Sequence, residues 1–232
     1  MTGAWLGQAG FLLTAEDGTT VMIDPYMSDS LLEKQGPAFT RQVPICETFI
    51  KPPDILAVTH CHEDHMDYGT LDRLFGQKPM TVLAPGTVLP ALRQRYPGLA
   101  EFVLFTPGTE LTLGSFRFRA VFAAHSDREA VGIVIDCDGK RVYHMGDSLY
   151  HRRIFEDPVE DIDLLILPIN GKGNNMNAVD AARMTRMLAP AKVLPMHWDM
   201  FEKFGCDVTD FTRQFSNPSE IFIPKHYEYF MI

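Results

Sequence analysis

Six consecutive residues, His60-Cys61-His62-Glu63-Asp64-His65, follow directly on the apolar run Ile55-Leu56-Ala57-Val58-Thr59. The run reads as a strand, and the polar block is what emerges at its end. In extended backbone, residues two apart point the same way, so His60 and His62 can place two neutral nitrogens on one divalent ion at roughly 2.0 to 2.1 Å. If the chain then turns, Asp64 and His65 swing toward a second ion nearby. The bland alternative is a solvated turn with weak metal affinity.

A length of 232 residues suits one domain over 1–232, with halves of about 1–114 and 115–232, and allows a substantial buried core. The formal net charge is -9 and the pI about 5.3, which leaves no basic stripe to neutralise a phosphate backbone and disfavours nucleic acid as a partner. Cys46, Cys61, Cys137 and Cys206 form no Cys-x-x-Cys pair, which argues against a disulfide framework or zinc knuckle and for a reducing compartment. Met1-Thr2-Gly3-Ala4-Trp5 runs straight into a strand pattern without a charged leader, and no run of about 18 apolar residues occurs. The expectation is a cytoplasmic protein with no membrane association.

Strands are expected at 4–14 and 19–24, joined at Glu16-Asp17-Gly18, then a long loop over 27–50 with at most a short helix. A strand at 55–59, a helix near 69–76, a strand at 80–84 and a helix near 87–95 follow. The β-rich stretch 101–144 leads into strands at 164–168, 193–196 and 221–223, with helices near 178–188 and 208–215; Asn177 is the expected N-cap of the first. Both halves run from hairpins into strand-helix alternation, which suggests two packed sheets with helices outside.

A metal pair needs ligands beyond the first block, and they should lie just past strand ends. His125, Asp147 in Gly146-Asp147-Ser148, and His197 in Pro195-Met196-His197-Trp198 qualify. The order His60-x-His62-x-Asp64-His65, His125, Asp147, His197, with Asp24 closing the second strand, resembles the five-motif signature of the metallo-β-lactamase superfamily. That resemblance implies an α/β (α+β) fold, a four-layer αββα sandwich of two mixed β-sheets with helices on the outer faces and metals at one edge. It implies His60, His62 and His125 on a first ion and Asp64, His65 and His197 on a second, with Asp147 bridging and Asp24 orienting a ligand from behind. The stretches Trp5-Leu6-Gly7-Gln8-Ala9-Gly10, Gly146-Asp147-Ser148 and Pro195-Met196-His197-Trp198-Asp199, together with Asp67 where many members have glycine, are similar to the L-ascorbate-6-phosphate lactonase group. Leu149 stands where those lactonases carry histidine, and this chain is shorter.

Duller readings compete at single positions. Asp24 before Pro25 can be a turn cap, His144 is expected to be structural, and His151 and His226 are expected at the surface. Cys61 alternates away from its neighbours and is expected to pack. The loop Asn170-Gly171-Lys172-Gly173-Asn174-Asn175 either presents Lys172 to an anionic substrate or is simply solvated. Asn170, Lys172 and Trp198 are the candidate substrate contacts.

No serine, cysteine or threonine stands beside a base in a nucleophile arrangement, and a dimetal site needs none. Two divalent ions per chain, Zn2+ or Mn2+, would supply hydroxide at neutral pH, with Asp64 orienting it or carrying its proton. The expectation is a metal-dependent hydrolase acting on a small molecule, with opening of a lactone in a sugar-like, phosphorylated compound as its most concrete form. The rivals are a phosphodiesterase or nuclease on the same metals, a mononuclear iron dioxygenase using the first ion alone, and a non-catalytic sensor. His62 stands where diiron oxygen-reducing members have an acidic ligand, which argues against flavin-linked redox chemistry. Related lactonases assemble into oligomers, so the resemblance allows a homo-oligomer.

Overall fold

The computed structural model describes residues 1–232. It opens with antiparallel strands β1 (Thr2–Gly7), β2 (Gly10–Thr14) and β3 (Thr20–Ile23). After the short helix α1 (Ser30–Gln35) come parallel strands β4 (Ile55–Ala57), β5 (Thr81–Ala84) and β6 (Glu101–Leu104), with helices α2 (Tyr68–Leu74) and α3 (Leu89–Arg95) as crossovers. A second sheet begins with antiparallel β7 (Glu110–Leu113), β8 (Phe116–Phe122), β9 (Val131–Cys137) and β10 (Lys140–His144). Parallel β11 (Leu164–Pro168) and β12 (Lys192–Met196) complete it, linked by α4 (Ala178–Leu188). The chain ends through α5 (Val208–Thr212) and β13 (Tyr229–Met231), which returns to pair with β1. The sheet orders are β13-β1-β2-β3-β4-β5-β6 and β12-β11-β10-β9-β8-β7.

The two sheets share one apolar interior: Trp5, Phe11 and Ile23 of the first pack in the same cluster as Phe116, Ile133 and Leu194 of the second. The outer face of the first sheet is covered by Leu71, Leu74 and Leu92 of α2 and α3, that of the second by Ala181, Met184 and Phe211 of α4 and α5. This is the expected four-layer sandwich. Leu164-Leu165-Ile166-Leu167-Pro168 is buried throughout, as a parallel strand covered on both faces must be. Helix α4 starts where its sequence signal lies, with Asn177 Oδ1 accepting from Val179 N at 3.0 Å and Asp180 N at 2.9 Å. Asp67 caps α2 through Gly69 N and Thr70 N, and also accepts from the hydroxyls of Ser28 and Ser30. No helix is long and apolar enough to cross a membrane.

Two local expectations fail. Residues 4–14 are not one strand: the chain reverses at Gln8-Ala9, pairing Trp5 with Phe11 and Gly7 with Gly10. The reversal is made by left-handed backbone at Gly7 (φ 92°) and Gln8 (φ 51°). Residues 221–223 form no strand; only Ile221 bridges to Val193, and the prolines at 218 and 224 confine the segment.

Candidate metal centre

The polypeptide leaves β4 through Val58, whose N–H donates to Leu83 O, and Thr59, whose carbonyl accepts from Val131 N. His60 is thereby held between the two sheets. The block then coils for one turn, with His65 N and Met66 N both donating to His62 O, which swings Asp64 and His65 away from His60 and His62. His125 lies in the loop after β8, Asp147 after β10 and His197 after β12. All seven candidate ligands meet at one edge of the sandwich.

They form two groups. His60, His62 and His125 bring their ring nitrogens within 4.8 Å of one another, as do the ligand atoms of Asp64, His65 and His197. His62 Nδ1 is 3.1 Å from His125 Nε2. Asp64 Oδ2 is 3.2 Å from His197 Nε2 and 3.6 Å from His65 Nε2. Asp147 reaches His65 Nε2 through Oδ1 and His197 Nε2 through Oδ2, both at 3.3 Å. Two atoms bound to one tetrahedral ion at roughly 2.0 to 2.1 Å sit about 3.3 Å apart, so these spacings fit shared ions.

Hydrogen bonding behind the ligands points the same way. Asp24, fully buried, accepts from Thr59 N at 2.8 Å, from the Thr59 hydroxyl and from His65 Nδ1 at 2.7 Å. With its hydrogen committed to Asp24, Thr59 Oγ1 accepts from His60 Nδ1 at 3.0 Å. Hydrogen is thus fixed on Nδ1 of both imidazoles, and Nε2 of each is the atom left to take a cation. Those two Nε2 atoms and Asp147 Oδ1 are buried without a hydrogen-bond partner. Buried lone pairs left in this state cost about 1–3 kcal/mol each, unless a cation takes them; a proton on His65 Nε2 would serve only that atom and Asp147 Oδ1, 3.3 Å away, and leaves His60 Nε2 without a partner. The residues fit the two divalent ions that the sequence implies. The further grouping of Asp24 with His60 and His65 is this orienting relay, since the nitrogens facing Asp24 carry hydrogen.

Electrostatics separate the two groups. Burial, aided by the neighbouring His65, holds the His60 imidazole well below its usual range, and burial lowers His125. Burial opposes charge on His65 and His197 as well, yet Asp147 and Asp64 outweigh it: His65 is raised well above its normal value and His197 to about 9. Burial likewise opposes ionisation of Asp64 and Asp147, but His65 and His197 keep both carboxylates far below the ordinary range. The second group is therefore a concentration of negative charge that binds protons when it has no metal.

Two supporting residues escaped the sequence reading. Asn175, buried, donates from Nδ2 to Asp147 Oδ2 at 2.9 Å and accepts from Ser148 N at 3.0 Å. Gln8, 2% exposed, places Nε2 2.7 Å from Asp64 Oδ2 and 2.9 Å from His197 Nε2. The signal available for Gln8 was a polar residue between two glycines inside an apolar run.

A cavity of about 420 Å³ opens over the second group, lined by Asp64, Asp147 and His197 and by Leu31, Phe39, Phe201 and Phe204. A larger open hollow of about 550 Å³ around Asp54 and Gly98 contains none of the ligands. Asn170 and Lys172 line the cavity over the second group, but Asn170 Nδ2 donates to Phe204 O at 3.0 Å, and Lys172 Nζ donates to Lys203 O and Gly205 O at 2.8 Å each. Lys172 thus pins a loop and has one N–H left for a substrate. Trp198 is not a cavity residue: it turns inward against Trp5, 6.1 Å between ring centroids, with Nε1 donating to Pro195 O. His226 is half-buried at the surface, its ring centroid 4.1 Å from that of Trp5 and its Nε2 3.0 Å from Asp199. His144 is buried, its Nε2 donating to Ala9 O and its Nδ1 accepting from Gly146 N. His151 is exposed and caps a short turn.

The beta-lactamase superfamily domain profile matches residues 19–198. A UPF0173 protein of Pyrococcus furiosus is 30% identical over 200 residues, covering 86% of this chain and 84% of its own. A UPF0173 metal-dependent hydrolase of the same organism is 26% identical over 231 residues, covering 95% of each. Among solved structures, Igni18, a metallo hydrolase from Ignicoccus hospitalis, matches with a TM-score of 0.74 at 23% identity, over 100% of this chain and 98% of that one. An isothiocyanate hydrolase from Delia radicum gut bacteria reaches 0.78 at 18% identity, over 100% and 99%. Sandwich, ligand order and profile agree, and the chain belongs to the metallo-β-lactamase superfamily, within its UPF0173 family.

Proposed function

We propose that this chain is a metal-dependent hydrolase of small molecules, that it uses two divalent ions, zinc or manganese, and that a lactone is its first candidate substrate. The observation that carries the reading is the trio of buried, unpartnered lone pairs on His60 Nε2, His65 Nε2 and Asp147 Oδ1. When bound, such ions supply hydroxide at neutral pH and offset charge developing on the attacked carbonyl. Three imidazoles suit zinc in the first position, and the carboxylates of the second admit manganese as well. The relatives named UPF0173 metal-dependent hydrolases support the reaction class.

The chain's own residues supply the rest. Asp64 lines the cavity with its side chain 18% exposed, so it is placed to orient a nucleophilic water and hold its proton. Phe39, Phe201, Phe204 and Leu31 exclude water from one wall and favour a compact substrate with an apolar part. Glu63, Asp64 and Asp147 crowd the cavity against a single lysine, which favours a neutral or singly charged ester over a nucleic acid strand. Lactone opening suits such a site because the leaving alkoxide stays tethered to the product. The reading includes a cytoplasmic setting, which the four unpaired cysteines support, and self-association as a homo-oligomer.

Elemental analysis of protein purified without added metal, followed by a screen of lactones and phosphodiesters, tests cofactor and reaction together. His62→Ala and Asp147→Ala should lose bound metal and turnover while remaining folded by circular dichroism. Full turnover in either variant refutes the dimetal reading. One iron per chain with oxygen uptake would replace it with the dioxygenase, and turnover of phosphodiesters alone with the phosphodiesterase.

A further inference from the structure

Gln8 sits at the reversal between β1 and β2 with φ 51°, a left-handed conformation that disfavours side-chain-bearing residues. Glycine would relax that backbone, and glycines already flank the reversal at Gly7 and Gly10. A long polar side chain is nonetheless retained, 2% exposed. The turn is clamped on all sides: Gln8 O accepts from Trp5 Nε1 at 3.1 Å and from His197 N at 3.3 Å, and Ala9 O accepts from His144 Nε2 at 3.0 Å. Its amide therefore reaches the second ligand group from an element with little freedom to move.

We propose that Gln8 is the positioning residue for Asp64: its Nε2 donates to Asp64 Oδ2, holding that carboxylate in register with His197 and open to the cavity. One hydrogen bond carries this, the 2.7 Å from Gln8 Nε2 to Asp64 Oδ2; Gln8 Nε2 also lies against the His197 ring, 2.9 Å from Nε2 and 3.2 Å from Nδ1, a contact with the ring and not a bond to either lone pair, and Asp64 Oδ2 is itself 3.2 Å from His197 Nε2. Asp64 has no other hydrogen-bond donor besides the histidines of its own group. Asp147, by contrast, is held by Asn175. Each carboxylate of the second group thus has one amide behind it, Gln8 from the first sheet and Asn175 from the loop after β11. Without Gln8, the Asp64 carboxylate is free to rotate toward solvent, and one ligand of the second ion and the group proposed to orient water are both misplaced. The part of this inference that concerns turnover rests on the hydrolase reading; the part that concerns metal rests on the two-ion reading alone.

The test is a calorimetric metal titration of the full chain, apo protein against zinc and manganese, for wild type, Gln8→Met and Gln8→Gly. Gln8→Met preserves volume and removes the donor. It should weaken the second binding event at least about tenfold, the size expected for losing one hydrogen bond to a charged group, and leave the first within threefold. Gln8→Gly should weaken the second event equally while its Tm stays within about 3 °C of wild type, because the backbone strain is relieved. On a hydrolysed substrate, kcat should fall with KM within threefold. Equal loss at both events, wild-type affinity at the second, or a defect confined to KM overturns the inference. A selective loss of the second ion in a protein that hydrolyses nothing upholds Gln8's role and refutes the hydrolase reading instead.

Discussion

Replacing Asp24 by asparagine changes no shape and should nonetheless disable the second metal position. Asp24 Oδ1 accepts from Thr59 N at 2.8 Å, and Oδ2 accepts from the Thr59 hydroxyl and from His65 Nδ1 at 2.7 Å. An asparagine has one acceptor for three donors. If its oxygen stays on Thr59 N, its NH₂ faces both Thr59 Oγ1 and His65 Nδ1; the reverse orientation sets the NH₂ against Thr59 N. In the first, less costly arrangement, His65 must offer Nδ1 as an acceptor, which moves its hydrogen to Nε2, the atom that has to bind the ion. The Thr59 hydroxyl, released from Asp24, is also free to turn toward His60 Nδ1, 3.0 Å away. Loss of one hydrogen bond to a charged group is worth about 1.5–3 kcal/mol, equivalent to roughly a 10- to 150-fold loss of affinity. That range overlaps the 10–100-fold typical of outer partners of metal ligands. Competition with a chelator of known affinity, read for each ion separately, supplies the number, and ¹⁵N shifts of the imidazoles supply the tautomer. Two ions bound within threefold of wild type, or a metal-loaded variant whose His65 still binds through Nε2 with hydrogen on Nδ1, would refute the relay.

Three further outcomes follow from the same geometry. Metal-free protein should keep protons on His65 and His197, the latter up to about pH 9, whereas His60 and His125 are already neutral at pH 7. The second ion must therefore displace protons and bind more tightly as pH rises toward 9, with calorimetric heats that depend on buffer ionisation; a second event without proton release contradicts this. The same raised values make chelated protein lose stability as pH climbs from about 6.5 through 9, because the folded state surrenders protons that the unfolded chain has already lost; a Tm that is flat or rising over that window would count against it. Gly146→Ala should lower stability by about 2 kcal/mol and Tm by roughly 4–8 °C, because φ is +59° and the added Cβ would lie 2.8 Å from Val131 O; a melt within 1 °C of wild type shows that the turn can shift.

Four of the candidate ligands were legible because they stand one to three residues beyond a strand that announces itself by composition, His60 after Ile55-Leu56-Ala57, His125 after Phe116–Phe122, Asp147 after Val142-Tyr143-His144 and His197 after Lys192–Met196, and His62, Asp64 and His65 because they share one block with His60. A strand end needs only local sequence to be found, and ligands displayed there need only the strand's direction. What supports them obeys no such locality. Gln8 is 56 residues from Asp64 and 189 from His197, and its turn lies inside an apolar stretch whose continuity suggested one strand; Gly7 and Gly10 were the only local sign of a break. Asn175 was visible merely as part of a polar loop, and nothing near it in sequence names Asp147 as its partner. The packing of Trp198 and His226 on Trp5 was missed for a related reason: β13, which brings His226 back toward β1, is an exposed three-residue strand with almost no pattern of its own. Local patterning thus specifies which groups can bind metal, while long-range closure of the β1–β2 turn and the carboxy-terminal strand onto the site decides how rigidly they do so. That division makes Gln8 the informative position to vary: a substitution there leaves every ligand of the sequence motif intact and changes only what holds one of them in place.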